Sequence, residues 1–267
     1  MANNKDFKVS VAIPTYNSSS YLYSCINSLK KSKLINEIII HDDHSDDDEY
    51  QRIRNIVDQF KKTLNIEIYR NSKNIGAFKN KFKNIEKCKN DIVYQIDSDN
   101  IANSKLDNIF TFINKEKKPD FLYIPSKIYQ FRKYPKNAKI FSNVNKKYKV
   151  IYTHEDFVFD KNTFKKAIDK EKKFTVNKNI NWILNSGNFI TNKKRYIDTF
   201  KKEVETDKRY PLDAVAISFF WINSGGKIKT LKELHHFHRK RNDSVSFVEN
   251  DGSFESLEYF RNKFLEI

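Results

Sequence analysis

Residues 91–100 read DIVYQIDSDN, a run of β-forming residues that breaks off in two aspartates separated by one serine. Ile92, Val93, Tyr94 and Ile96 suit a buried strand, and Asp97-Ser98-Asp99 follows without a spacer. If strand alternation carries through, the i and i+2 carboxylates point to one side. Two hard oxygen donors placed so suit Mg2+ or Mn2+, which would in turn neutralise a diphosphate. An Asp-rich turn held by its own hydrogen bonds has the same spelling, so the tripeptide takes its meaning from its surroundings.

Working outward, residues 7–13 (FKVSVAI) form a β-branched strand that ends at Pro14. Tyr21, Leu22, Cys25, Ile26 and Leu29 recur at helical spacing, with an N-cap available in Ser18-Ser19-Ser20. Residues 37–40 (EIII) make a second strand, and residues 41–49 (HDDHSDDDE) an acidic loop that runs into a helix over 49–62. A strand over 66–69 and a helix over 77–87 complete the series. This βαβαβαβ order predicts a parallel, doubly wound sheet, whose ligands bind at the carboxyl ends of the strands. Three polar clusters fall there: PTYN, HDDHSDD and DSDN. At the second strand's end the carboxylate of Asp42 or Asp43 could accept the imide N–H of a uracil. Ser45 or Asp46 reads as the following helix's cap, and His41 and His44 as loop residues without zinc spacing. Residues 120–180 are less regular and carry basic runs, as strands and insertions at a sheet edge would.

The chain has 267 residues, enough for one good core with a small appended layer. Its 39% hydrophobic and 14% aromatic residues exclude disorder, and no stretch of eighteen apolar residues appears. Residues 1–14 lack the charged-then-apolar pattern of a signal peptide. The two cysteines, Cys25 and Cys88, form no metal or redox spacing, so a reducing cytoplasm is expected. A net charge of +16 favours polyanionic partners, phosphorylated substrates or an anionic membrane surface among them. No nucleic-acid recognition motif accompanies it, and no nucleic acid is expected as a partner.

VSVAIPTYN, EIIIHDDHSDDD, YRNSKNIGAFKN and DIVYQIDSDN, in this order and at these separations, resemble family-2 glycosyltransferases of the GT-A fold. The pattern covers about the first 110 residues. The resemblance implies an α/β fold: a Rossmann-like, mostly parallel sheet flanked by helices, with a smaller acceptor-side subregion. It implies one domain, with a nucleotide-sugar half over 1–110, an acceptor half over 111–246 and a helical tail over 247–267. The implied activity is inverting transfer from a nucleotide-sugar, UDP-sugar favoured, to a glycan, glycolipid or glycoprotein hydroxyl, with Mn2+ or Mg2+. Pro14, Thr15, Tyr16 and Asn17 would line the base pocket, Tyr16 stacking on the base. Asp43, and less surely Asp42, would hydrogen-bond the base. Asn74, Gly76 and Lys79 would run beneath the nucleotide, Lys79 facing phosphate. Asp97-Ser98-Asp99 would hold the donor, with Asp97 on ribose or metal waters and Asp99 on the metal.

The second half keeps fewer landmarks. Trp182, Ser186, Gly187 and Asn188 resemble the segment that closes over the donor sugar. Asp213 stands where the family places its general base, although Leu212 replaces a second acidic residue there. Asp213 also precedes an apolar helical run, so a helix cap remains an alternative. The strand over 227–231 is expected to end in a basic loop, where Arg239 and Arg241 would clamp the leaving diphosphate and His238 could ligate the metal. Phe254, Leu257, Phe260 and Phe264 would pack a terminal helix on the core. A nucleotidyltransferase is the competing enzyme class, disfavoured because PTYNSSS has no glycine; a non-catalytic basic protein that binds nucleic acid or glycan is the competing non-enzyme.

Overall fold

The computed structural model describes residues 7–103, 105–131, 148–152, 155–171, 183–184, 186–239, 259–260, 262–263 and 266. Strand β1 (Val9–Thr15) is buried at every position and lies between β2 (Ile35–Asp42) and β4 (Ile92–Gln95), parallel to both. A strand enclosed on both faces must be apolar throughout, and alternation then divides its side chains. Val9, Val11 and Ile13 join a core with Ile38 and Ile40 of β2, whereas Ala12 and Ile39 point into the opposite core.

The first core is closed by α1 (Ser19–Leu29), α2 (Asp47–Phe60) and α4 (Leu106–Glu116) through Leu22, Ile26, Ile53, Val57 and Phe110. The second is closed by α3 (Ala77–Lys87), α6 (Lys193–Val204) and α7 (Asp213–Asn223) through Phe78, Phe82, Phe200 and Trp221. Helix α5 (Lys161–Glu171) adds Phe164 to this side. Phe260 is also buried there against Phe219 and Tyr210. Phe254, Leu257 and Phe264 lie outside the described residues. Helix α7 is buried nearly all round, so whatever opens it is delivered into the interior.

Among the described residues one nine-stranded sheet forms, in the order β3 (Ile66–Arg70), β2, β1, β4, β8 (Phe189–Asn192), β5 (Phe121–Phe131), β9 (Lys227–Arg239), β7 (Val158–Phe159). β6 (Tyr148–Tyr152) pairs with β5 off this path. β8 runs antiparallel to both β4 and β5, and β9 runs parallel to β5. Hence β1 to β5 and β9 share one direction and end on one edge, where β8 begins. The chain turns to opposite sides of β1 at this edge, the switch point where α/β sheets bind ligands. No described helix is long and apolar enough to cross a membrane.

Two expectations are corrected here. β9 does not give way to a loop after residue 231: pairing with β5 carries it to Arg239, across a register shift at Pro125/Lys127. His41 is not a loop residue but part of β2, 4% exposed, with its ring 5.9 Å from that of Tyr69. Burial, followed by the charges of Lys83 and Lys87, lowers its pKa to about 4. A histidine buried neutral must be charged in the unfolded chain first, so its stabilising effect is complete above about pH 6.5 and lost as pH falls towards 4. Urea unfolding at pH 7 and pH 4 should show wild type losing on the order of 3 kcal/mol more than His41→Phe; equal losses would exclude this role.

Candidate active site

The three loops predicted to converge are tied together by side chains. Thr15 Oγ1 lies 2.7 Å from Ser18 Oγ, which lies 2.8 Å from Ser98 Oγ, a buried hydroxyl chain from the end of β1 to the DSD turn. Ser98 is therefore a strut between loops. Asn17, at φ 44°, donates its backbone N–H to Ser45 Oγ at 2.9 Å and accepts from the Asp46 N–H at 3.1 Å. Asp46 is the N-cap residue of α2. Pro14 is buried, whereas the Tyr16 ring is 45% exposed at the same edge, which rules out core packing as its purpose.

Asp42 is fully buried and accepts from the Ser45 N–H at 2.9 Å and hydroxyl at 2.5 Å, with Arg70 Nε 3.5 Å away. Burial raises its pKa against these bonds. Asp43 accepts from Asn71 Nδ2, the Ile75 N–H and the Gly76 N–H, each at 2.9 Å. Its carboxylate thus shapes the N-x-G turn, where Gly76 adopts φ 88°, a conformation costly for other residues. The Asn74 side chain also accepts from the Gly76 N–H, at 3.2 Å.

Asp97-Ser98-Asp99 lies beyond β4, which ends at Gln95, in a turn closed by the Asn100 N–H donating to Asp97 O at 3.0 Å. Strand alternation therefore does not aim these carboxylates; their neighbours do. Asp97 Oδ1 receives Lys81 Nζ at 2.9 Å and Gln95 Nε2 at 3.1 Å, and its backbone N–H donates to Asn188 Oδ1 at 3.0 Å. The Asp99 carbonyl accepts from Arg239 Nε at 3.3 Å, and the Arg239 guanidinium lies 4.2 Å from the Tyr21 ring centroid. Gly187 packs against Asp97 so closely that a Cβ there would overlap Asp97 Oδ2. Ser186 is buried and donates to Asn188 O at 3.0 Å. Trp182 and Arg241 lie outside the described residues.

Asp213 joins this group from the far half of the chain. It is the first residue of α7, and the N-cap position belongs to Leu212. Its carboxylate does not cap the helix but meets Lys81 Nζ at 2.6 Å. Lys81 thus bridges Asp97 and Asp213 with a side chain only 4% exposed. Burial works against its charge, but Asp213 and Asp97 outweigh that and hold the ammonium above the ordinary lysine range. Asp97, with 32% of its side chain still open, is pushed up to about 6 by burial. Lys81 opposes the shift, while Asp213 and Asp99 add to it. Burial lowers the His238 pKa against the charge of Asp97, favouring the neutral, ligand-competent imidazole.

Lys81 was not singled out from the sequence, although α3 carries the signal. Phe78, Phe82 and Ile85 define its buried stripe, and residue 81 falls on it, three positions from Phe78. A lysine in an apolar stripe needs a partner. Lys79, read as the phosphate-facing lysine, instead donates to Thr206 O, and Arg209 Nη2 donates to Asn74 O at 2.9 Å. They fasten the segment before Asp213 to the first turn of α3 and to the N-x-G turn.

Among the described residues no three His, Cys, Asp or Glu side chains form a metal cage. A Mg2+- or Mn2+-type ion needs only one or two carboxylates when phosphates and water complete its shell. Asp97, Asp99 and Asp213 bring three carboxylates close together, and among the described residues Asn188 Nδ2 and Gln95 Oε1 are buried without a hydrogen-bond partner. The donor set fits such an ion bound together with an anionic ligand.

The sheet and this edge define a GT-A glycosyltransferase fold. The family model described as glycosyl transferase family 2 matches residues 10–224, and the chain belongs to that family. An uncharacterized glycosyltransferase of Mycoplasma genitalium is 36% identical over 106 residues, covering 39% of this chain and 36% of that protein's length. S. aureus TarS 1–349 in complex with UDP-GlcNAc superposes with TM-score 0.64 at 17% identity, over 97% of this chain and 70% of TarS 1–349. GalNAc-T7 with UDP, GalNAc and Mn2+ gives TM-score 0.57 at 14% identity, over 89% and 44% of the two chains.

Gly187→Ala should force Asp97 away from its cradle and lower unfolding free energy by about 1–3 kcal/mol in urea denaturation. A variant as stable as wild type would mean that Asp97 has room to move.

Proposed function

We propose that this protein transfers a sugar from a UDP-sugar to an acceptor hydroxyl, with inversion at the anomeric carbon. One observation carries the proposal: Asp97 beside β4 and Asp213 at the start of α7 meet on one buried ammonium at the sheet's switch point. One carboxylate lies in the family's donor motif, and the other sits where a base could reach the sugar that the donor presents. The bound UDP-GlcNAc of TarS and the UDP of GalNAc-T7 support the donor class.

In this reading the exposed Tyr16 ring stacks on the base, and the remaining acceptor capacity of Asp43 reads its imide. Asp42 acts indirectly, holding the loop through Ser45. Asn74 and Gly76 form the turn beneath the nucleotide, and Gly187 and Asn188 face the donor sugar with Trp182 and Ser186. Asp99, with Asp97 and His238, would hold Mn2+ or Mg2+, which would supply positive charge to the leaving diphosphate. Arg239 adds charge at the same turn, and Arg241 falls two residues further on. Asp213 takes the proton from the acceptor hydroxyl as it attacks. The acceptor would be a glycan, a lipid-linked sugar or a glycoprotein.

Release of UDP should be measured across a panel of nucleotide-sugars, with and without Mn2+. Release from one UDP-sugar, lost in Asp99→Ala, is expected; failure to bind any donor would sink the reading. Asp213→Asn should cut turnover by about 100-fold or more while leaving UDP affinity unchanged, and turnover near wild type would remove Asp213 as the base.

A further inference from the structure

We propose that Lys81 is the positioning residue of the transfer step, fixing Asp213 relative to the donor-binding turn without touching donor or acceptor. The inference rests on the reading above and deepens it. Three acceptors surround the ammonium: Asp213 Oδ2 at 2.6 Å, Asp97 Oδ1 at 2.9 Å and Gly187 O at 3.5 Å. The ammonium is thus surrounded by oxygens of the protein itself, two of them carboxylate. With 4% of the side chain exposed, no face remains for a ligand.

The need for such a residue follows from where Asp213 stands. Leu212 holds the N-cap position and no side-chain cap bond is made there, so the helix does not orient the carboxylate. Among the described residues its partner is Lys81 alone. The segment leading to it is fastened at its backbone, by Lys79 to Thr206 O and by Arg209 to Asn74 O, and neither contact reaches the side chain. Lys81 therefore converts a fixed backbone into a fixed base. Because the same ammonium holds Asp97, the base oxygen lies no farther from Asp97 Oδ1 than the two ion-pair contacts laid end to end. The bridge also assigns the carboxylates separate tasks, since one drawn to the ammonium is not free to collapse onto the donor site.

Lys81 itself rides on α3, whose Phe78, Phe82 and Ile85 are locked in the core. Its placement is thus set by packing rather than by the ligand, as a preorganised site requires.

The test compares Lys81→Met, which keeps the length and loses the charge, with Lys81→Arg in the full-length chain. The assay is UDP release from the UDP-sugar that wild type accepts, beside calorimetric binding of UDP. For Lys81→Met, kcat should fall about 100-fold while donor KM and UDP affinity stay within about threefold, and Lys81→Arg should restore part of kcat. A Lys81→Met enzyme with near-wild-type kcat overturns the proposal. So does a parallel loss of UDP affinity, which would make Lys81 a donor ligand. If Lys81→Met does not fold, the double variant Lys81→Met/Asp213→Asn removes the charge of one of the two carboxylates left without the ammonium. Its kcat should equal that of Asp213→Asn alone, and a further fall would overturn the assignment. Wild type that releases UDP from no donor would refute the proposed function, a result separate from any variant's behaviour.

Discussion

The buried ammonium of Lys81 between Asp97 and Asp213 is the contact on which the arrangement of this site depends. Removing three charged groups from bulk water is expensive, and a bridge of this kind adds little net stability compared with apolar packing. Its effect lies in specificity of arrangement. With Lys81 missing, both carboxylates lose their ion-pair partner in a poorly solvated place, a cost of about 3–5 kcal/mol. Two segments 116 residues apart in sequence are thereby given one relative position, and the sheet between them has to form for the bridge to close.

The rest of the edge is built on the same plan, with polar side chains spent on backbone rather than left open. Asp43 holds the N-x-G turn, Asp42 holds Ser45, and Asn17 holds the start of α2. Ser98 reaches through Ser18 to Thr15. Loops are ordinarily the mobile part of an α/β fold, yet these are crosslinked to one another at short range. Among the described residues the exposed Tyr16 ring stands out against that background as an apolar surface at the switch point that no side chain buries.

The first four strands and three helices were legible from sequence to within two residues at each end, because local period and turn chemistry decide them. What eluded the sequence depends on pairing between distant segments. β8 enters antiparallel between β4 and β5, and β9 extends through LKELHHFHR, whose polar residues hide any alternation. Helix α4 went unassigned. At the site, the aspartates were found because strand ends advertise them, and Asp213 because the family pattern points to it. The family pattern points to Lys79 and not to Lys81, whereas helical phase is what separates the two lysines of α3. Phase places 81 on the buried stripe with Phe78 and Phe82, and leaves 79 to reach Thr206.

Charge acts at two scales here. The chain as a whole carries +16, a field that attracts anions from beyond contact distance and weakens within a screening length of about 8–10 Å. At the site Asp97, Asp99 and Asp213 gather around Lys81 and Arg239, and burial with mutual repulsion pushes Asp97 up to about 6. A diphosphate drawn in by the surface would meet carboxylates at the bottom unless it arrived with positive charge of its own. Under the proposed function these carboxylates would favour an anion that brings a cation over one that comes alone.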